Sequence, residues 1–254
     1  MTQPLPISVQ LYSVRDALAA DWEGTLEQIA SMGYVGVETA GFAYAPSQAN
    51  AINKIQSLGL TISGAHSPHP TGDNKNQVLE TMAATGSTRL ISAFMPPENY
   101  QSIDEIKKLV GEFNQSNANA KAAGLSFGIH NHWWEYEMVD GKRAIQHLID
   151  EGLDDDIFFE IDTYWVATAG AGVVQEITKY ADRIPLLHIK DGPTGSDSNM
   201  VAVGQGVMDF HSIIPAAPNA EWLVVELDRC DTDMLTAVRE SIDYLAAEGL
   251  GRKK

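Results

Sequence analysis

Cysteine is nearly absent. Cys230 is the single one in 254 residues, so no internal disulfide can form and a structural zinc site built on several thiolates is excluded. Basic residues are scarce as well, 17 Lys and Arg against 34 Asp and Glu. The resulting formal charge of −17 repels phosphate backbones and anionic membrane surfaces and makes a nucleic-acid partner the weaker expectation. No stretch approaches the ~20 apolar residues of a membrane span. The opening MTQPLPISVQ has neither the basic segment nor the apolar segment of a secretory leader. With one thiol and no such segments, the sequence predicts a soluble, cytoplasmic protein. Low-complexity tracts and linkers are missing too, and 44% hydrophobic composition supplies a sizeable core.

What is there is a recurring phrase: an amphipathic segment, a glycine, then a short apolar run. It is seen in ASMGYVGVE, QSLGLTISGAH, AATGSTRLISAF, KAAGLSFGIHNH and IDEGLDDDIFFEID, with the glycines at Gly33, Gly59, Gly86, Gly124 and Gly152. Each glycine falls where a helix ends in a left-handed residue. The segments before them have helical spacing, as in Leu26, Ile29 and Ala30, and Ser102 to Glu105 has the form of a capping box. Strand candidates number eight: ISVQLYSV, YVGVETA, LTISGAH, RLISAF, LSFGIHNH, IFFEIDTYW, PLLHIKD and WLVVELD. Runs apolar on both sides belong to parallel sheets covered by helices. Eight βα units predict a single-domain (β/α)8 TIM barrel over residues 1–254. A doubly wound open sheet is the structural alternative, but no Gly-rich phosphate loop follows the first strand.

In such a barrel the site forms where strands end, and polar residues gather there. Gln10, Glu38, His66, His130, His132, Glu160, Asp162, His188, Lys190, Glu226 and Asp228 all close apolar runs. Period-two spacing puts His130 with His132, Glu160 with Asp162, and His188 with Lys190 on one side of their strands. Unpaired carboxylates in a dry interior cost several kcal/mol each, and a divalent cation would neutralise them. Asp162, His188, Glu226 and one ligand from the fifth strand make a mixed nitrogen and oxygen set suited to manganese, magnesium, cobalt or zinc. Plainer readings stand beside this. Glu38 can be a strand-end ion pair, Lys190 the charge partner of Asp162, and Trp133, Trp134, Tyr164 and Trp165 loop packing. His69, His147 and His211 fall in loops or helices and are read as structural or surface groups.

At these residues the sequence resembles the xylose isomerase-like TIM barrels, the sugar phosphate isomerase/epimerase or AP endonuclease family 2 superfamily. The resemblance runs through QLYSVRD, MGYVGVE, HNHWWEYE, IDTYWVATAG, HIKDG, GQGVMDF and VVELD, essentially the whole chain. HNHWWEYE is similar to the HNHxxE motif of one branch. The resemblance implies a metal held by a glutamate after strand five, an aspartate on strand six, a histidine on strand seven and a glutamate on strand eight. The last three fall on Asp162, His188 and Glu226. For the first, Glu135 folding back from the loop is favoured over His132. Endonuclease members hold three metals and grip DNA; this chain lacks the extra ligands.

The implied activity is that of a divalent-metal-dependent isomerase or epimerase acting on a ketose or keto-sugar through an enediolate, with manganese the first expectation. His132 or Glu226 is the candidate base and Glu135 the ligand beside it. Lys190 and His66 bind substrate oxygens, and His130, Glu38, Gln10 and Trp165 complete the substrate-binding set. The alternatives are a lyase of the same fold, an inosose-type dehydratase or keto-glycoside deglycosidase, and a non-catalytic sugar-binding barrel. The partner expected is a small sugar or cyclitol, with neither nucleic acid nor membrane and with room for a homo-oligomer.

Overall fold

A computed structural model describes residues 3–254. Eight parallel strands run β1 Leu5–Gln10, β2 Gly36–Ala40, β3 Thr61–Ser67, β4 Arg89–Ser92, β5 Ser126–His130, β6 Phe158–Asp162, β7 Leu186–Ile189 and β8 Trp222–Val225. Each pairs with the next, and β8 pairs back onto β1 through Ile7 and Leu223, so the sheet closes into the barrel the sequence predicts. A two-residue strand at Gly251–Arg252 adds to the start of β1. A short antiparallel ribbon, Met138–Val139 with Lys142–Arg143, interrupts the connection between β5 and β6. No helix among the described residues is long and apolar enough to cross a membrane.

The local signals explain the alternation. All five glycines of the repeated phrase have positive φ, and Gly33 closes helix Trp22–Met32 at φ 94°, a conformation that costs glycine little. The longest helix, Ile103–Ala122, starts where Ser102 Oγ accepts the Glu105 N–H at 3.2 Å. Its buried face, Ile106, Leu109, Val110, Phe113 and Ala120, repeats at helical spacing and packs on the outside of the barrel.

Inside the barrel the floor is apolar. Ile91, Phe158, Leu186 and Val224 form a separate buried cluster with Trp222 against it. Gly128 makes room for it, since a Cβ there would lie 2.2 Å from the Phe158 ring. Above this plug the inward positions turn polar, which places the site at the carboxyl ends of the strands.

Several tyrosines are locked in the neutral form. Burial, with Asp243 nearby, holds the Tyr34 phenol well above its ordinary value of 10.0 while it donates to the Val238 carbonyl at 2.7 Å, and burial pushes Tyr44 up to about 12. A raised folded-state pKa means that the unfolded chain releases the proton first as pH rises. Stability is therefore whole below about pH 10 and declines above it, by up to ~1.4 kcal/mol per pH unit for each such group. Urea midpoints measured between pH 8 and 11 should fall above pH 10, and Tyr34→Phe should make that fall shallower. An unchanged slope in the variant would mean that Tyr34 ionises freely in the folded protein.

Candidate metal and active site

The ladder register brings the polar strand ends together. His130 lies opposite Glu160, and Asp162 opposite His188. The middle residue of the HNH motif fixes this pairing: Asn131 Oδ1 accepts the Asp162 N–H at 2.9 Å, and its Nδ2 donates to the Asp162 carbonyl. Asp162 also caps the short helix Thr163–Thr168, with Oδ1 accepting the Trp165 N–H at 3.0 Å. Beyond β7, the Asp191 carboxylate accepts the N–H groups of Gly192, Gly204, Gly206 and Met208, which folds the following loop. Gly206 is required there because a Cβ would lie 2.1 Å from Asp191 Oδ1. That contact accounts for the second glycine of GQG, and Gly204, at φ 92° with the Tyr244 ring 2.3 Å from where a Cβ would lie, accounts for the first.

Two overlapping groups could grip a cation, each offering ligand atoms within 4.8 Å of one another: His66, His130, Glu160 and His188, and His130, Asp162, His188 and Glu226. The first is already knitted together. His66 Nε2 lies 2.7 Å from Glu160 Oε2 and 3.1 Å from Glu38 Oε2, and His188 Nε2 lies 2.8 Å from Glu38 Oε2. Gln10 Nε2 donates to Glu38 at 2.7 Å. The second is bonded as well, His188 Nδ1 lying 2.9 Å from Glu226 Oε2, and each group keeps one open carboxylate oxygen, Glu160 Oε1 in the first and Asp162 Oδ2 in the second. Asp162 Oδ2 is buried and accepts no aligned hydrogen bond, although the Lys190 ammonium stands 2.9 Å away, and the buried His130 Nδ1 also lacks a hydrogen-bond partner. Two carboxylates and two imidazoles suit a divalent transition ion, and the orphaned oxygen fits the same purpose.

Electrostatics sort the protonation states. Burial disfavours the charged form of every group in the cluster, so the exceptions identify strong pairs. Against that penalty the charges of Glu38 and Glu160 raise His66 to about 10, and those of Glu160, Glu38 and Glu226 raise His188 well above its ordinary range. Burial and the neighbouring Glu38 charge raise Glu160, whereas burial together with the charges of His188 and His66 holds His130 well below its ordinary value. Lys190 is 1% exposed and meets Asp162, Glu226 and Asp228 at 2.7–2.9 Å. Those carboxylates keep it protonated despite its burial.

Above the cluster opens a cavity of about 780 Å³. His66, His130, His132, Glu226 and Asp228 form its polar side, and Tyr12, Pro68, Phe94 and Met95 its apolar side. His132 is stacked on Trp134 with ring centroids 4.2 Å apart and planes 7° from parallel, and Phe94 abuts it edge-on.

The sequence-predicted residues divide accordingly. Asp162, His188, Glu226 and His130 converge; His66 and His132 line the cavity. Gln10 and Glu38 are fully buried in the hydrogen-bonded layer beneath, so Glu38 is part of an ion network, as the plainer reading had it, rather than a cavity group. Trp165 is 3% exposed, packed against Trp133 and Lys190 and absent from the lining. Glu135, which the sequence expects to fold back onto the ion, is in neither of the two groups and accepts the His132 backbone N–H at 2.8 Å. His69 was read as structural, yet it lines the cavity and bonds Ser92 at 2.8 Å. Glu160 and Asp228, which the sequence places at strand ends beside Asp162 and Glu226 without giving them a role, both belong to the ionic network.

A family model described as the xylose isomerase-like TIM barrel matches residues 26–248. The chain belongs to that family. No curated protein matches it. Among solved structures, this xylose isomerase-like barrel resembles a sugar phosphate isomerase/epimerase from Parabacteroides distasonis, with 24% identity over 99% of this chain and 96% of that one and a TM-score of 0.83. It also resembles an IOLI protein with a bound zinc atom, at 14% identity over 97% and 98% of the two chains and a TM-score of 0.76. A third likeness is to 3-keto-D-glucoside 4-epimerase from E. coli, at 17% identity over 97% and 100% and a TM-score of 0.66.

Proposed function

We propose that this barrel is a divalent-metal-dependent isomerase or epimerase of a ketose or keto-sugar, working through an enediolate. The observation that carries the reading is the convergence of His130, Asp162, His188 and Glu226 at the base of the cavity, where Asp162 Oδ2 faces the Lys190 ammonium at 2.9 Å but accepts no aligned hydrogen bond. Enzymes of sugar isomerisation and epimerisation among the similar structures support it, and the zinc-holding one supports the metal. A cation held by the four residues would supply Lewis-acid polarisation of a carbonyl and its neighbouring hydroxyl. Manganese, magnesium, cobalt and zinc all suit this donor set.

The chain's own residues divide the remaining work. His66, kept protonated by Glu38 and Glu160, donates from the cavity wall to a substrate oxygen. Lys190 remains a cation and so neutralises carboxylates rather than acting as a base. Burial raises Glu226, but the charges of Lys190 and His188 outweigh it and hold its carboxyl well below the usual range, which makes it a weak base. Of the two candidate bases this favours His132, at the cavity wall with its ring held flat on Trp134. Solvent deuterium should enter a ketose or 3-keto sugar at the carbon next to the carbonyl when manganese is added. His132→Gln should slow that exchange by roughly 10²- to 10⁴-fold with metal affinity within a few-fold. Failure of a broad sugar panel to exchange would sink the reading.

A lyase using the same enediolate is the second reading, and the apolar half of the cavity favours it. Tyr12, Phe94 and Met95 offer a surface for a substituent on the sugar, which elimination would release. Product analysis separates the two: an isomer supports the first, a dehydrated or deglycosylated product the second. A barrel that failed to bind manganese, cobalt or zinc by calorimetry would instead be a non-catalytic sugar-binding protein.

A further inference from the structure

Glu135 sits in the tight turn Trp134–Tyr136, is fully buried, and is held by the backbone of the residue three before it. Its Oε2 accepts the His132 N–H at 2.8 Å, which fixes the carboxylate. Its Oε1 is buried without a hydrogen-bond partner and lies 3.8 Å from His132 Nδ1, which is likewise buried and without a partner. Two orphaned polar atoms facing each other at that distance come into bonding contact by a small rotation of either side chain. A carboxylate can only accept, so contact forms when Nδ1 carries the hydrogen. In a neutral imidazole the lone pair is then on Nε2. Stacking of the ring on Trp134, with Phe94 at its edge, keeps the imidazole plane fixed.

Tyr100 belongs to the turn Pro97–Tyr100, which packs on the turn of Glu135, and its hydroxyl is buried without a well-aligned partner. Burial, then the charge of Glu135, raises its phenol well above the ordinary value, so it stays a donor able to serve the same carboxylate.

We infer that Glu135 is a positioning residue that fixes His132 in the Nδ1–H tautomer, with Tyr100 behind it, leaving the Nε2 lone pair as the proton acceptor. The relay rests on the reading of His132 as the proton-transfer group, but the two can fail separately.

The test is two-bond proton–nitrogen NMR of the histidine rings on the zinc-loaded protein, the His132 signals being assigned by their loss in His132→Gln. The wild type should show Nδ1–H and an unprotonated Nε2. In Glu135→Gln the one remaining oxygen stays with the His132 N–H and the amide N–H2 turns to Nδ1, so the tautomer should invert to Nε2–H. Exchange kcat should fall by up to ~10⁴-fold, the scale of loss when the carboxylate orienting an imidazole is amidated, with KM and zinc content within a few-fold. Glu135→Asp, which restores the charge, should recover the Nδ1–H signal and part of kcat. A wild type already in the Nε2–H form, or an unchanged tautomer in Glu135→Gln, overturns the relay. So does loss of zinc from Glu135→Gln, which would make Glu135 a ligand. An inverted tautomer alongside undiminished exchange in His132→Gln keeps the relay and removes His132 as the base.

Discussion

Asp162→Asn is expected to weaken manganese binding by ~100-fold or more, since losing a charged ligand should exceed the 10- to 100-fold typical of losing a group that merely orients one. Turnover should vanish with the metal. The substitution is selective because the two oxygens of Asp162 have separate duties. Oδ1 caps helix Thr163–Thr168 through the Trp165 N–H, a role the asparagine oxygen keeps. Oδ2, the buried acceptor without an aligned donor, is replaced by an N–H2 that can ligate no cation and that faces the Lys190 ammonium. The fold should therefore survive while the binding site fails. Glu160→Gln is the matching control. Glu160 belongs to the other group, where its Oε2 is committed to His66 at 2.7 Å and its Oε1 is open. Calorimetric titration of both variants with manganese and zinc decides which group holds the ion. Retention by Asp162→Asn with loss in Glu160→Gln would transfer the site to His66, His130, Glu160 and His188.

The barrel was legible because local rules and global topology agree. Apolar runs ending in polar residues, five of the eight preceded by a left-handed glycine such as Gly33, leave few other arrangements. The same alternation revealed Asp162, His188, Glu226 and His130 as inward-facing groups. What it could not reveal was depth. A period of two assigns a residue to a face of its strand, but its height along the barrel axis depends on the stagger between strands, where Glu160 pairs with Leu186 while Asp162 pairs with His188. Gln10 and Glu38 therefore read as cavity groups although they lie in the layer below. Loop residues were harder still. Glu135 lies within a turn whose direction no periodicity encodes, where its carboxylate accepts the His132 backbone N–H and stands 3.8 Å from the His132 imidazole. His69 likewise owes its place to packing, its ring edge-on to Phe113 and Phe127.

Lys190→Met should produce the largest change in stability, and its sign should depend on added metal. The ammonium is the shared partner of Asp162, Glu226 and Asp228 in a site with 1% exposure. Methionine fills similar space but leaves the three carboxylates without the ammonium they share. Removing one partner of a buried ionic group costs about 3–5 kcal/mol. In a domain of this size each kcal/mol moves the thermal midpoint by about 2–4 °C, so the apo-variant should melt roughly 6–20 °C below the apo-wild type. A divalent cation approaching Asp162 and Glu226 in the wild type competes with the same ammonium; in the variant that competitor is gone, although His188 still meets Glu226 at 2.9 Å. Saturating manganese, which at a thousandfold excess over Kd stabilises by about 4 kcal/mol, should therefore recover most of the loss and raise the variant's midpoint more than the wild type's. Calorimetric scans of both proteins with and without manganese provide the four midpoints. Equal increments in the two would show that ammonium and cation do not share these carboxylates, and an apo-variant as stable as the wild type would show that Asp162 or Glu226 is neutral in the folded chain.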